Sequence, residues 1–198
     1  MEKIKVRRQA KRHIYVHNDL SNAAYHFYKK VNERLANNDR EGIAFDILAE
    51  LIFLAFTVEA KINFLGNRFV VGWKEMEPFW KKLKLVLKHL NLKVDFNKRP
   101  YSTIQNLKDL RNSLAHGKPL HLELDEEAIV DANEVDDSPD LHTDWESYCT
   151  EAFANQAYED VNKIWKQLLS ASKLSLFDTL SGGERSITFI EKIVDQET

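Results

Sequence analysis

The run Leu107-Lys108-Asp109-Leu110-Arg111-Asn112-Ser113-Leu114-Ala115-His116-Gly117-Lys118 holds the residues best suited to chemistry. Leu107, Leu110 and Leu114 mark a helix, and Gly117 followed by Pro119 is expected to stop it at His116. An imidazole at a helix carboxyl end feels the macrodipole, which favours its protonated form, and Arg111 lies about one and a half turns earlier. Taken alone, that is also an ordinary capping arrangement for cations in a last turn. At about 100° per residue, the step from Arg111 to His116 turns through about 140°, so these two side chains do not share a face, whereas Asn112 and His116 do. Three arrangements would bring Arg and His to a common point: the long arginine stem reaches round, the helix end unwinds at Gly117, or two copies of the helix meet across a two-fold axis. The two-fold pairing is the one we expect. It would set guanidinium forks, which grip phosphate oxygens in pairs and stabilise charge building in a transition state, beside an imidazole able to move protons near neutral pH. RNA suits such a site because its own 2′-hydroxyl can attack the adjacent phosphate, given a base, an acid and charge stabilisation but no metal.

Positioning these groups requires a scaffold, and the apolar spacing predicts one made of helices. Asp19 or Ser21 is expected to cap a first helix to about Asn37, with Ala24, Phe27, Val31 and Leu35 at helical spacing. A longer second helix, over about 41–64 and ending near Gly66, places Phe45, Leu48, Ile52, Ala55, Phe56 and Ile62 on its apolar face. Pro78 starts a third, over 78–92, with Phe79, Leu83, Val86, Leu87 and Leu90 inward and Lys81, Lys82, Lys84 and Lys88 outward. The motif helix begins at Pro100 or Ser102, and a fifth runs over about 144–172 with Tyr148, Ala152, Ala157, Val161, Ile164, Trp165 and Leu168 on its core face. A short strand is possible at 120–124, and the tail carries a Gly182-Gly183 turn and a β-like run over 186–190 at an edge of the fold. Short connections favour antiparallel neighbours, so the predicted fold class is all-α: an antiparallel up-and-down bundle of four to five helices with a short C-terminal β-like appendage. Residues 1–18 form a basic N-terminal segment, 19–172 the bundle with an acidic insertion over about 121–143, and 173–198 the tail.

Composition sets the outer bounds. The 198 residues are 43% hydrophobic and 30% charged, enough for one sizeable core. Cys149 is the sole cysteine, which excludes an internal disulfide framework and a Cys-rich zinc module and fits a reducing cytoplasm. The most apolar stretch, 47–58, falls well short of the roughly 20 residues a bilayer span needs, and the amino terminus lacks the apolar core of a secretory signal. The net charge of −3 hides an asymmetry: residues 1–118 carry a net +11 and the remaining 80 a net −14. A basic surface able to meet phosphates is thus joined to an acidic one that could repel, mimic or regulate them. No Lys or Arg occurs between Lys118 and Lys163. The acidic stretch that fills this gap reads either as a solvated loop or as a segment that folds over the basic cleft and restrains it.

The string Leu110-Arg111-Asn112-Ser113-Leu114-Ala115-His116-Gly117 resembles the R-x4-H motif of the HEPN superfamily, including the Asn that often follows the Arg. The stretch Phe56-Thr57-Val58-Glu59-Ala60-Lys61-Ile62-Asn63-Phe64-Leu65 is similar to the paired helix of many bacterial HEPN proteins, so the resemblance covers roughly residues 20–170. It implies a homodimer whose paired motif helices form a metal-independent endoribonuclease site, often in toxin–antitoxin or other defence systems. By that resemblance Arg111 would stabilise a phosphorane-like transition state, His116 would act in proton transfer or phosphate contact, and Asn112 would support the site. Glu59 and Asn63, i and i+4 on one helix, would lean into the same cleft or form a polar helix margin. Lys108, Lys118 and the basic third helix would track an RNA backbone or form a solvated face. No cofactor or metal is implied, and the expected partners are RNA, a second copy and an antitoxin or regulatory protein. The residues after His116 include no Tyr of the kind some HEPN antitoxins modify. A non-catalytic HEPN-like module that binds RNA, a nucleotide or a partner at the same cationic helix end is the second reading.

Other patterns carry less. Leu180-Ser181-Gly182-Gly183-Glu184-Arg185 looks like the signature loop of ABC ATPases, but no GxxxxGK[ST] loop accompanies it and it reads as a turn. His13 and His17 are spaced to share a metal only if both are helical, and the sequence places no third ligand. Ser113 lies near His116 without a nucleophile elbow.

Overall fold

In the computed structural model, residues 3–125 and 141–193 are described. Among these the order is β1 (Lys3–His13), α1 (Val16–Ala36), α2 (Ile43–Phe69), α3 (Phe79–His89), α4 (Ser102–Ala115), α5 (Glu151–Ser172) and β2 (Gly182–Ile193). The protein is mostly helical, with one two-stranded antiparallel sheet. No helix among the described residues is long and apolar enough to cross a membrane.

The core is built around α2, which packs lengthwise on α1 and touches α3, α4 and α5. Its buried face is Ile47, Leu51, Leu54, Val58, Ile62 and Leu65. Of the residues expected there, Ile62 is buried, whereas Phe45 is 77% and Phe56 39% exposed. Apolar residues surround nearly the whole of this helix, so periodicity alone does not choose a face. The face chosen also buries Asp46, Glu50, Thr57 and Lys61. The predicted core positions hold better on the shorter helices: Leu83, Val86 and Leu87 on α3, Ile104, Leu107 and Leu110 on α4, and Val161, Ile164, Trp165 and Leu168 on α5 are buried.

Two helix ends differ from expectation for packing reasons. Helix α2 continues past Gly66 to Phe69, because Gly66 lies in the helix interior with the Trp73 ring seated on it. A Cβ at that position would lie 2.4 Å from the ring, so the glycine makes room and does not stop the helix. Helix α5 begins at Glu151 and not near 144, since Thr150 takes the N-cap position and its hydroxyl accepts the Phe153 amide at 3.2 Å. The preceding residues Glu146–Tyr148 form a separate 3-10 turn that holds Tyr148. Asp160 on α5, 3% exposed, accepts from the Arg99 guanidinium at 2.9 and 3.0 Å and from the Thr103 hydroxyl at 2.6 Å. That cluster fixes the start of α4 against α5.

The sheet is where sequence expectation and structure part most. The β-like run of the tail extends over Gly182–Ile193 and pairs with β1, drawn from the basic segment at 3–13. Register runs from Lys3 opposite Ile193 to His13 opposite Gly182, with an irregularity between Lys5 and Val6. Gly182 and Gly183 therefore start a strand; they are not a turn. A side chain at Gly183 would meet the Lys11 carbonyl at 2.4 Å, so only glycine permits this close approach. Helix α1 starts at Val16, ahead of Asp19, where the tail's Ser181 hydroxyl accepts the Tyr15 amide at 2.8 Å and the Asn18 side chain donates to the Thr179 carbonyl at 2.9 Å. Residues 120–124 form no strand. Most of the acidic insertion lies outside the described residues.

Candidate functional site

Helix α4 carries Lys108, Arg111 and Asn112, and α2 presents Phe56, Glu59 and Asn63 towards it. Leu107 and Leu110, buried at 1% and 0%, dock α4 on the core and so place Arg111 beside α2 at the edge of the packed surface. The Arg111 guanidinium donates to the Asn112 side-chain carbonyl at 2.8 Å and to Glu59 Oε2 at 3.3 Å, and its Cζ lies 5.8 Å from the Phe56 ring centre. The other Glu59 oxygen accepts from Lys82 Nζ at 2.8 Å, and Lys82 also donates to the Glu75 carbonyl at 3.0 Å. A polar row thus runs Lys82–Glu59–Arg111–Asn112 across three helices.

Lys82 corrects an expectation. Its charge predicts a position on the solvent side of α3, but Lys82 is 1% exposed. The signal was available: Lys82 is three residues after Phe79 and four before Val86, on the stripe that packs inward, and only its charge argued otherwise. A buried ammonium needs a carboxylate, and Glu59 supplies it.

Two cavities meet at the Arg111–Glu59 pair, which lines both. The larger, about 790 Å³, lies between α2 and the chain entering α1, with Ile14, Tyr15 and His17 on one wall and Glu59, Asn63 and Arg111 on the other. The smaller, about 250 Å³, lies between α2, the start of α3 and α4, with Phe79, Lys108 and Asn112 in its lining. Asn63 has its buried carbonyl oxygen without a hydrogen-bond partner among the described residues. His17 is 3% exposed with no partner for Nε2 among the described residues, and its pKa is pushed down to about 4, first by burial and then by the Lys61 charge. His17 therefore belongs to the packed wall, while His13 is exposed in β1, so the pair does not share a metal-binding face.

The structure brings together Arg111, Asn112, Glu59, Asn63 and Lys108. It does not bring His116 or Lys118 into either cavity. His116 is the exposed C-cap of α4, with its amide donating to the Asn112 carbonyl at 3.0 Å. Gly117 adopts no left-handed backbone there, so the helix stops without a glycine cap. Lys118 is exposed beyond the end, and Lys108 lies with Nζ 5.6 Å from the centre of the Trp80 ring. The sequence does not single out Phe56, Lys82 or the 14–17 wall for the candidate site: Phe56 reads as part of an apolar helix face, Lys82 as an outward charge, and their proximity to the Arg111–Glu59 pair is tertiary.

Comparison with known proteins found no matching family model, no matching curated protein and no matching solved structure.

Proposed function

We propose that this chain is a metal-independent endoribonuclease of HEPN type, acting as a cytoplasmic homodimer in a toxin–antitoxin or other defence system. The finer architecture that goes with this reading is an antiparallel up-and-down bundle whose α4 helices pair across a two-fold axis. One observation carries the reading: the Arg111 guanidinium is held by Asn112 and Glu59 at the junction of two cavities, on the same helix that ends in an exposed His116.

The chemistry follows from those groups. A base takes the proton of the 2′-hydroxyl, the 2′-oxygen bonds to phosphorus, and the bond to the 5′-oxygen breaks as an acid delivers a proton to it. Products are a 2′,3′-cyclic phosphate and a 5′-hydroxyl end. Arg111 stabilises the extra negative charge on the equatorial oxygens. His116 and its symmetry mate transfer the two protons, which answers the angular separation of Arg111 and His116 on one helix. Asn112 and Glu59 position the guanidinium, and Asn63, Lys108 and Lys118 contact the RNA.

A second reading is favoured by the Glu59 contact, which already neutralises part of the Arg111 charge: a non-catalytic HEPN-like module binding RNA, a nucleotide or a partner. Purified protein incubated with cellular RNA in EDTA, beside Arg111→Ala and His116→Ala, separates the two. Cleavage by the wild type alone, with cyclic phosphate ends, is the expected outcome; a folded dimer that binds RNA and never cuts it would leave the second reading.

A further inference from the structure

One wall of the larger cavity is continuous with the two-stranded ribbon, since its residues Ile14, Tyr15 and Val16 follow β1 without a break. The ribbon itself packs on little: every residue of β2 is exposed, and in β1 all but Val6. At about 3.4 Å per residue its 11-residue β1 strand reaches about 35 Å. A lone exposed hairpin-like pair contributes little to a core, so its composition reflects what it meets.

That composition is cationic. Strand β1 reads KIKVRRQAKRH, with Lys3, Lys5, Arg7, Arg8, Lys11 and Arg12 and no acid, while β2 balances Arg185 and Lys192 against Glu184 and Glu191. Lys5 is paired with Glu191 at 2.9 Å, whereas Arg7, Arg8, Lys11 and Arg12 make no ion pair among the described residues. Strand alternation puts Arg7 and Lys11 on one face, where the register also sets Glu184 opposite Lys11 and Glu191 opposite Lys5, and Arg8 and Arg12 on the other, more strongly cationic face beside Arg185. Charge on both faces suits a ribbon lying between two rows of phosphates; a flat acidic surface would be met by one face only. Further along the second face the register sets Val6 opposite Phe189, and Phe189 is 56% exposed, an aromatic available to stack on an unpaired base.

We propose that the β1–β2 ribbon is a nucleic-acid-binding arm that takes the phosphate backbone of RNA and leads it into the cavity holding Arg111. The choice of RNA rests on the proposed nuclease reading; the arm itself rests on charge, exposure and continuity with the cavity.

The test measures binding of the full chain, in EDTA, to two labelled 2′-O-methyl RNAs that cannot be cleaved, a hairpin and a single strand of the same composition. In the variant Arg7→Gln/Arg8→Gln/Lys11→Gln/Arg12→Gln, affinity is expected to fall by ~30-fold at moderate salt, and the slope of log K against log salt to shrink by about 3, as loss of four phosphate contacts requires. The charge-preserving Arg7→Lys/Arg8→Lys/Lys11→Arg/Arg12→Lys variant keeps both. Gly183→Val, which separates the strands at Lys11, lowers affinity without removing charge. Unchanged affinity and slope in the glutamine variant overturn the proposal. So does a wild type that ignores both RNAs, and the charges would then answer to an acidic protein surface. Ribbon-dependent binding without cleavage of unmodified RNA removes the nuclease reading and leaves the arm, while cleavage with ribbon-independent binding does the reverse.

Discussion

Arg111 sits between an amide that orients it and a carboxylate that partly neutralises it, and its substitutions separate these effects. Arg111→Lys keeps the charge but loses the planar fork, so RNA cleavage should fall by about 10²-fold or more while binding changes little, as read in single-turnover assays. His116→Ala should lower cleavage by about 10²–10⁴-fold without altering thermal stability, because the side chain is exposed. Glu59 belongs as much to the fold as to the site, since it is the counterion of a lysine side chain that is 2% exposed. Glu59→Gln leaves that ammonium buried against a neutral group and should cost about 3 kcal/mol in urea unfolding. Adding Lys82→Met to that variant should recover most of the loss; no recovery would show that Lys82 is stabilised by something other than Glu59.

Helix positions rest on a few contacts that punctuate the packing. Trp73 against Gly66 locks the loop after α2, and Glu75 of that loop gives its carbonyl to Lys82. Gly66→Ala would normally favour a helix by about 1 kcal/mol, but here the added methyl meets the ring at 2.4 Å. The net effect should be a destabilisation of about 1–3 kcal/mol, with Trp73 fluorescence shifted as the ring is displaced. Relief of the same defect by Trp73→Leu would identify the clash as its cause. At the other end of the bundle, Asp160 accepts hydrogen bonds from Arg99, just before α4, and from Thr103 in its first turn. Because this cluster sets the position of α4, it also sets where Arg111 meets Glu59.

For the whole molecule, the buried ionisable groups of α2 and α1 shape the dependence of stability on pH. Glu50 is fully buried with neither oxygen hydrogen-bonded among the described residues, and burial raises its pKa from 4.5 to about 8. Between these values the folded chain holds a proton that the unfolded chain has released, so stability falls as pH rises. His17, lowered from 6.5 to about 4, acts oppositely: the unfolded chain takes up the proton and stability falls as pH drops through that range. The two effects offset each other in part where they overlap, leaving a net decline between pH 6.5 and 8. Lys61, lowered from 10.5 to about 8, is charged in both states below pH 8 and acts only above it. Glu50→Gln should therefore hold a level thermal midpoint from pH 6.5 to 8, and its stability relative to the wild type should grow by about 2 kcal/mol across that window. A parallel decline in both proteins would place the titrating group elsewhere.

The helices were legible because their apolar residues recur at a local period and their breaks are marked: Asn37-Asn38-Asp39 after α1, Pro78 before α3, Gly117-Lys118-Pro119 after α4. The candidate motif was legible for the same reason, as Arg111, Asn112 and His116 lie within one helix and its cap. What depends on separation along the chain was not. The strand run of the tail had no visible partner, because β1 lies more than 160 residues away and its apolar alternation stops at Ile4 and Val6, ahead of a charged and polar run. Lys82 read as solvated until Glu59 stood next to it, and the long second helix was too evenly apolar to show which side it would bury. Local pattern determines an element and the chemistry it carries; which carboxylate meets which cation, and which wall closes the cavity beside Arg111, is decided by packing, because burial and charge pairing are properties of neighbours in space.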